Sequence, residues 1–493
     1  MKAKLCATVT GATMAELRAN RDRAAVDADL VELRLDYTSD PDVRGALAGS
    51  QVPVIVTVRP TWEGGRFDGP EERRRALLVE ALDCGADYVD IEWRAGFDDL
   101  IRGRHGRKVV LSMHDFDGLP RDLRGRYYAM RATGAEVVKL AVQANSLGDT
   151  LTLRNVVQAD AGEEKRILIA MGTAGVASRV LPDRFGSAWT YAGDKVAPGQ
   201  IDLRRLVNEF RFRQISSSTA IYGVLGAPVS HSLSPVMHNA GFEAVTKDAV
   251  YLPFESLDVD DFIEFADAFD ILGVSVTAPF KESMASSVAS MDATGLRVGA
   301  INTLKMVKAS WHGLNTDVEG FLEPLVGRLK LNKARATVLG SGGAARSVAV
   351  ALAGRGAAVS ICARNSARAF SVAGLVAGSV QSLPPPQGSW DLLVNTTPVG
   401  TYPDVDATPV PEGPFDGRLV YDLVYNPPVT RLLADAAAAG CETLGGLAML
   451  VAQAERQFEW WTGERPPSGL FRSAAERQLG LNETPGASLK VRP

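Results

Sequence analysis

The sequence of 493 residues has few of the features that mark secreted, membrane-spanning or nucleic-acid-binding proteins. Its four cysteines, Cys6, Cys84, Cys362 and Cys441, show no Cys-x-x-Cys spacing, so neither a disulfide framework nor a zinc knuckle is predicted. No run of about 18 apolar residues and no apolar leader is present. The 53 Lys and Arg nearly balance the 58 Asp and Glu, which predicts no basic surface for nucleic acid or anionic lipid. We therefore expect a cytoplasmic protein with small-molecule ligands, no metal, and no nucleic-acid or membrane partner; its oligomeric state is left open.

Strand-like and helix-like segments alternate along the whole chain. At about 150 residues per domain, the length predicts roughly three domains. Eight β-rich runs in the first part of the chain cover residues 4–10, 30–36, 52–59, 88–93, 108–115, 136–142, 166–172 and 188–193. Strands that alternate with helices pair in parallel with right-handed crossovers, and eight such units predict a closed (β/α)8 TIM barrel.

Composition and turn signals divide the rest of the chain. The Ser- and Thr-rich segment 216–219 predicts a domain joint. The predicted divisions are a barrel at 1–212, a linker at 213–219, an α/β substrate-binding domain at 220–318, a Rossmann dinucleotide-binding domain at 319–445, helices at 446–480 that pack back on the substrate-binding domain, and a disordered tail at 481–493.

Polar residues stand at the carboxyl ends of the predicted barrel strands, where a barrel of this type builds its active site. These residues are Glu32, Arg34, Arg59, Glu92, His114 and Lys139, with Arg179 and Gln200 following the last two strands. Lys139 interrupts an apolar run, and burial near arginines would leave part of the amine neutral, as condensation with a carbonyl requires. His114 is the predicted general acid and base, with Glu92 fixing its tautomer. A single such lysine is more often a snorkelling edge residue, but eight polar positions at one end of consecutive strands favour catalysis.

The first part of the chain resembles type I 3-dehydroquinate dehydratases. The resemblance lies in the motifs VELRLDY, VTVRP, DIEW, SMHDF, VVKLAV, SRVLPDRFGSAWTYAG and APGQI. It implies that Lys139 forms a covalent Schiff base with the substrate ketone, that His114 transfers the protons and that Glu92 orients His114. It also implies a substrate pocket made by Glu32, Arg34, Arg59, Arg179 and Gln200. Val196 stands where many members have a hydroxyl residue, so we expect weaker contacts from that loop without loss of the reaction.

A glycine-rich turn in the second part of the chain predicts a dinucleotide site. Gly340 and Gly342 follow an apolar strand and, with Gly343, Ala344 and Ala345, open a helix. A turn of this kind brings the backbone and the helix N-terminus close to a pyrophosphate. The next strand ends with Arg364 and Arg368 instead of the acidic residue that NAD sites use, which favours NADP(H).

Other polar residues of the second part predict proton transfer and substrate binding. Lys281 and Asp317 each follow a predicted strand, and together with Asn302 they suggest a proton-handling pair. Each of them alone would more often be a surface residue. Ser232 and Ser234 flank a strand-to-helix turn and suit either a carboxylate ligand or an ordinary helix cap.

Residues 219–480 resemble shikimate dehydrogenases in the motifs NTTPVG, YDLVYNPPVT and GGLAMLVAQAERQFEWWTG. The resemblance implies that Lys281 and Asp317 form the catalytic dyad and that Arg364 and Arg368 hold the 2′-phosphate of NADP(H). Asn395 and Thr396 would lie near the nicotinamide. The implied substrate-binding residues are Ser232, Ser234, Thr277, Asn302, Tyr425 and Gln453. Two departures are Ser275 and Ala363, each at a position where asparagine is common.

The two resemblances together predict a bifunctional enzyme of the shikimate pathway, a lyase followed by an oxidoreductase. The product of the first reaction, 3-dehydroshikimate, carries the ketone that the second would reduce to shikimate. One alternative is that the second half prefers quinate or a related polyol acid. The other is a non-catalytic metabolite or NADP sensor, which the presence of Lys139, His114, Lys281 and Asp317 disfavours.

Overall fold

The computed structural model describes residues 2–157, 165–193 and 196–481. It divides into two compact units, one formed by residues 1–220 and 248–270 and the other by 221–247 and 271–493. These two units do not test the domain boundaries predicted from the sequence, which stay a prediction. The tail predicted to be disordered lies, from residue 482 onward, outside the described residues.

The first unit contains eight parallel strands with helices between them. The strands are β1 (Lys4–Val9), β2 (Leu30–Arg34), β3 (Val54–Thr57), β4 (Tyr88–Glu92), β5 (Val109–Asp115), β6 (Val137–Gln143), β7 (Lys165–Met171) and β8 (Trp189–Ala192). The helices are α1 (Met14–Ala24), α2 (Val43–Leu47), α3 (Glu71–Asp83), α4 (Asp98–Gly103), α5 (Leu123–Ala132), α6 (Leu147–Asn155) and α7 (Val176–Val180).

The strand order β7-β6-β5-β4-β3-β2-β1-β8 confirms the predicted barrel. Near its two ends, the Ala188 N–H donates to the Arg166 carbonyl at 2.8 Å, between the segments that carry β8 and β7. The strands are apolar runs because their side chains are buried on both faces, against the helices outside and against each other inside. Ile55, Val110 and Ile167 belong to the interior cluster.

The chain continues with β9 (Ala220–Gly226), α8 (Ser234–Ala244), β10 (Ala249–Glu255) and α9 (Val259–Ala268). The last two elements belong to the first compact unit. The remaining strands are β11 (Ile271–Val276), β12 (Ser290–Met291), β13 (Thr303–Val307), β14 (Ser310–Leu314), β15 (Arg335–Leu339), β16 (Ala358–Cys362), β17 (Ser379–Val380), β18 (Leu392–Asn395), β19 (Leu419–Asp422) and β20 (Glu442–Leu444). The remaining helices are α10 (Ala293–Val298), α11 (Asp317–Leu322), α12 (Gly343–Gly354), α13 (Ser366–Gly374), α14 (Arg431–Ala438), α15 (Leu447–Thr462) and α16 (Leu470–Gln478).

The second unit holds two sheet regions. The strands β9, β11, β13, β14 and β12 lie side by side in that order, and β13 is antiparallel to both of its neighbours, β11 and β14. The other sheet, β17-β16-β15-β18-β19-β20, is parallel throughout. This order is the one expected of a Rossmann domain, whose ligands bind at the carboxyl ends of the central strands. The mixed α/β architecture predicted for this part of the chain is thereby confirmed.

Helix α12 follows β15 after a turn of three small residues, 340–342. Its alanine-rich sequence favours helix, and its buried face packs in a core with Val338 and Leu392. Within the described residues, no helix combines the length and the apolarity that crossing a lipid bilayer requires.

Candidate active sites

A cavity opens at the carboxyl ends of the barrel strands. Seven of the eight polar residues predicted for this rim line it: Glu32, Arg34, Arg59, His114, Lys139, Arg179 and Gln200. The eighth, Glu92, ends β4 and is completely buried. Thr8, Glu63, Phe116, Met171, Tyr191 and Val196 also line the cavity.

The amine of Lys139 lies in this cavity among carboxylates. Its side chain extends from the third residue of β6 and the residue is 5% exposed. The Nζ atom is 3.2 Å from Asp90 Oδ2 and 3.8 Å from Glu32 Oε1, and it lies over the Tyr191 ring at 4.2 Å from the centroid. The sequence predicted arginines beside this amine, but the charged groups nearest to it are the carboxylates of Asp90 and Glu32.

Asp90 joins the amine to Arg59. Its Oδ1 accepts from Arg59 Nη2 at 2.9 Å and from Ser112 Oγ at 2.5 Å. Burial alone would raise the pKa of this carboxyl, but Arg59 and Lys139 outweigh burial and lower it to about 2. Asp90 therefore stays ionised at neutral pH and accepts hydrogen bonds from both Arg59 and Lys139. Sequence reasoning missed this residue, although an aspartate in the middle of an apolar barrel strand is a signal of the same kind as Lys139.

Glu63, not Glu92, orients His114. Oε1 of Glu63 accepts the His114 backbone N–H and lies 2.9 Å from the ring Nδ1. The prediction for Glu92 is wrong because its oxygens accept hydrogen bonds from Arg59 (2.8 Å) and Arg74. Two guanidinium groups thus engage the carboxylate that was assigned to the imidazole.

The electrostatics of this pair keep the His114 imidazole neutral and able to accept a proton. Burial raises the pKa of Glu63 to about 7, against the opposing effect of Arg59. Burial, together with Arg59, Lys139 and Arg34, holds the pKa of His114 well below its ordinary value. His114 is therefore a neutral imidazole, and a hydrogen bond from Nδ1–H to Glu63 would leave Nε2 as the proton acceptor.

The turn after β3 explains how Glu63 reaches His114. Gly64 has a positive φ of 77°, and a Cβ on Gly65 would lie 2.0 Å from the Arg59 carbonyl oxygen. The two glycines permit this tight return, because a side chain would be strained at Gly64 and would collide with the backbone at Gly65. The segment Arg-Pro-Thr-Trp-Glu-Gly-Gly therefore carried a signal for Glu63 in its glycine pair.

Arg179 offers an uncommitted cation to the cavity. It is 2% exposed, its Nη2 donates to the Pro198 carbonyl at 3.0 Å, and its Nε has no hydrogen-bond partner in the described residues. Burial lowers its pKa to about 10, so it remains charged at neutral pH. Arg34, by contrast, already forms a two-pronged pair with Asp36. A buried guanidinium without a carboxylate partner fits an anionic ligand.

Gln200 is held by the loop that contains the departure at Val196. The Gln200 Oε1 accepts the backbone N–H groups of Val196 and Ala197, and its Nε2 donates to Thr8 Oγ1 at 3.2 Å. Residue 196 thus contacts Gln200 through its backbone N–H, so this contact does not need a hydroxyl side chain at that position.

A lysine–aspartate pair forms the centre of the second site. Lys281 Nζ donates to Asp317 Oδ2 at 2.5 Å, and Asp317 is 3% exposed at the start of α11. Asn302 Nδ2 donates to Asp317 Oδ1 at 2.8 Å and approaches Gln453 Oε1 at 3.3 Å. The arrangement fixes an ammonium group on a buried carboxylate, as proton transfer to a ligand oxygen requires.

The other predicted substrate residues lie at strand ends and helix starts. Ser232 Oγ accepts the N–H of Ser234, the first residue of α8. Thr277 follows β11 and Tyr425 follows β19, and both are half-buried. Ser275 differs from the rest, since its hydroxyl donates to buried Gln457 Oε1 at 2.7 Å. The hydrogen bond to Gln457 gives no support to a role for Ser275 in selecting between shikimate and quinate.

The glycine turn leaves the start of α12 open. Gly340 has a φ of +117°, and a Cβ there would lie 2.5 Å from Thr396 Oγ1. Gly342, the extended residue before α12, has open space around its Cβ position, and no side chain caps the helix. A Cβ on Gly343 would lie 2.9 Å from the Lys281 Cβ. The backbone N–H groups at the start of α12, near half-buried Ala344, fit the pyrophosphate of a dinucleotide.

Asn395 and Thr396 brace the turn from β18. Asn395 Nδ2 donates to Asp422 Oδ1 at 2.9 Å, and Thr396 Oγ1 donates to the Leu339 carbonyl at 2.6 Å. These hydrogen bonds join β18 to β19 and to the end of β15. The two side chains therefore stabilise the strands that carry the nucleotide turn.

Two exposed arginines follow the second Rossmann strand. Arg364 comes directly after Ala363 at the end of β16, and Arg368 lies in the first turn of α13. Their guanidinium groups stand where an acidic residue would receive the ribose hydroxyls of NAD, so the donor set fits the 2′-phosphate of NADP(H).

Comparison with known proteins finds separate family matches for the two parts of the chain. The family description "Type I 3-dehydroquinase" matches residues 5–217, "Shikimate dehydrogenase substrate binding domain" matches 224–304, and "Shikimate 5'-dehydrogenase C-terminal domain" matches 446–476. The chain is 33% identical over 509 residues to the chloroplastic bifunctional 3-dehydroquinate dehydratase/shikimate dehydrogenase of Arabidopsis thaliana, covering 95% of this chain and 83% of that protein.

Other relatives match the second half alone. The shikimate dehydrogenase (NADP(+)) of Halobacterium salinarum is 42% identical over 266 residues, which cover 52% of this chain and 99% of that protein. A crystal structure of a shikimate dehydrogenase in complex with NADP+ superposes with a TM-score of 0.50 at 32% identity, over 54% of this chain and 97% of that one.

Proposed function

Since the chain belongs to the family of bifunctional 3-dehydroquinate dehydratase/shikimate dehydrogenases, we propose that Lys139 and the Lys281–Asp317 pair are the reaction centres of its two activities. The enzyme dehydrates 3-dehydroquinate and is an NADP-dependent shikimate dehydrogenase. The residue roles are inferred from the geometry of the two sites.

Dehydration proceeds through an imine on Lys139. The neutral amine adds to the substrate ketone, and loss of water gives a protonated imine, which draws electrons from the neighbouring C–H bond. The His114 imidazole removes that proton, and the resulting imidazolium, stabilised by Glu63, returns it to the departing hydroxyl as water. Hydrolysis of the imine then releases 3-dehydroshikimate and restores the amine. Asp90 neutralises positive charge at the nitrogen, and Arg179 binds the substrate carboxylate.

Reduction uses the ammonium group of Lys281 as the proton donor. NADPH, when bound at the glycine turn, supplies a hydride to the ketone carbon. Lys281 gives a proton to the ketone oxygen, and Asp317, held by Asn302, keeps the ammonium in place. Arg364 and Arg368 bind the 2′-phosphate, and Ser232 and Ser234 hold the substrate carboxylate.

The observation that carries this proposal is a buried lysine amine in one cavity with a carboxylate-oriented histidine and an uncommitted arginine. Neither alternative, a quinate-preferring dehydrogenase or a non-catalytic sensor, is favoured by the relatives, which are named shikimate dehydrogenase (NADP(+)).

The test follows both reactions in one assay. Purified protein is given 3-dehydroquinate and NADPH, and nicotinamide absorbance is recorded. We expect oxidation of NADPH with the wild type, none with Lys139→Ala, and recovery when 3-dehydroshikimate is added to that variant. The exposed lysine variant Lys4→Ala is the control and should behave as wild type. Unchanged activity in Lys139→Ala would refute the first assignment, and no recovery would refute the second.

A further inference from the structure

Glu282, the residue after Lys281, lies between two arginines on helices of the nucleotide-binding domain, Arg346 on α12 and Arg368 on α13. Oε1 of Glu282 is 2.9 Å from Arg368 Nη2, and its Oε2 is 4.0 Å from Arg346 Nη1. Arg346 is itself tied to the Val298 carbonyl at 2.8 Å. Arg368 is thus paired with a carboxylate of the same unit, whereas Arg364 has no carboxylate within ion-pair distance among the described residues.

The backbone fixes Glu282 beside the nucleotide turn. A Cβ added to Gly343 would lie 2.9 Å from the Lys281 Cβ, so the Lys281–Glu282 segment packs on the first turn of α12. The carboxylate is therefore brought to this place by main-chain packing and not only by the rotamer of a long surface side chain.

A guanidinium group that pairs with a carboxylate presents the same N–H fork to a phosphate. We propose that Glu282 is an internal competitor for the 2′-phosphate of NADP(H): it pairs with Arg368 until the phosphate displaces it. This inference rests on the proposed function, which assigns Arg368 to that phosphate. When the 2′-phosphate displaces Glu282, the Arg368–Glu282 ion pair is lost, so Glu282 lowers the affinity for NADP(H). A nucleotide that lacks the 2′-phosphate does not break this pair, and Glu282 does not affect its affinity. Glu282 thereby sets part of the cofactor preference.

Binding of two nucleotides to the full-length protein measures the competition. Glu282→Gln keeps the size of the side chain and removes its charge. We expect 2′,5′-ADP to bind about two- to fivefold more tightly to Glu282→Gln, the range for an exposed ion pair, and 5′-AMP to bind as it does to wild type, both by titration calorimetry. Glu319→Gln, which removes a carboxylate from another exposed pair of the same unit, is the matched control and should change neither affinity.

A double-mutant cycle with Arg368→Ala identifies the contact responsible. When Arg368 is absent, Glu282→Gln should no longer improve binding of 2′,5′-ADP. An unchanged or weaker affinity of Glu282→Gln, or a gain that persists without Arg368, would overturn the competition. Failure of the proposed function is distinguishable, because Arg368→Ala alone would then leave the affinity for 2′,5′-ADP unchanged.

Discussion

Exchange of Glu63 and of Glu92 for glutamine should affect the dehydratase in different ways. Oε1 of Glu63 accepts both the backbone N–H and, at 2.9 Å, the ring Nδ1 of His114. During catalysis the ring becomes an imidazolium, and a hydrogen bond to a charged group contributes about 1.5–3 kcal/mol. Glu63→Gln should therefore lower kcat by roughly 10- to 100-fold. Because burial raises the pKa of Glu63 to about 7, this variant should also lose the decline in kcat that we expect as pH falls through 7 in the wild type.

Glu92→Gln removes a charge that two buried guanidinium groups share. Glu92 is 0% exposed and accepts from Arg59 and Arg74, so its neutralisation removes one of the carboxylates paired with each guanidinium group and leaves Arg59 with Asp90 and Arg74 with Glu71. A buried cation left with no partner costs about 3–5 kcal/mol of stability, so we expect a loss below that range. The variant should unfold at a lower temperature, while kcat of the folded fraction changes by less than in Glu63→Gln.

Two measurements separate these outcomes. Initial rates of 3-dehydroshikimate formation, followed by enone absorbance across a pH series, give kcat, and thermal denaturation gives stability. Equal losses of kcat in the two variants, or an unaltered pH profile in Glu63→Gln, would refute the assignment of Glu63 to the imidazole.

Other substitutions test the second half and its core. Gly340→Ala should cost about 2 kcal/mol of stability because residue 340 has a positive φ. Gly342→Ala has open space for its Cβ, so it should keep the stability of the wild type and weaken NADP+ binding. Thermal denaturation measures the first effect and titration calorimetry the second. Burial lowers the pKa of His238 to about 3 from 6.5. The unfolded chain therefore binds a proton that the folded chain does not, and the free energy of unfolding should fall as pH drops through that interval. In urea titrations His238→Gln should reduce this dependence, and His312→Gln should not. Lys281→Ala should abolish reduction of 3-dehydroshikimate and leave dehydration intact, as separate assays of the two reactions will report.

The parts of the barrel that sequence predicted best are those set by strand periodicity. Eight apolar runs predict eight strands, and a lysine inside one of them predicts a buried amine at the rim, because every strand of a parallel barrel presents its carboxyl end to the same cavity. The cofactor turn was equally readable, since Gly340 needs a backbone conformation that other residues rarely adopt.

Contacts made by loops and by side-chain pairing were harder to predict. Glu63 and Glu92 are both acidic residues near the rim, and only the turn at Gly64 and Gly65 decides which of them meets His114. Likewise, Ser275 stands in a predicted pocket strand, but its hydroxyl is engaged by Gln457 from α15, more than 150 residues later in the chain. The Ser275–Gln457 contact depends on tertiary packing, which no local pattern encodes, whereas the glycine pair after Glu63 was a local signal.

The central claim, that Lys139 condenses with the substrate, is tested most directly by chemical trapping. The protein is mixed with 3-dehydroquinate, treated with borohydride to reduce any imine to a stable amine, digested and examined by mass spectrometry. We predict a substrate-derived mass increment on the peptide that contains Lys139 and none in Lys139→Arg. An increment on a different residue, or no increment in a protein that is turning over substrate, would contradict the account.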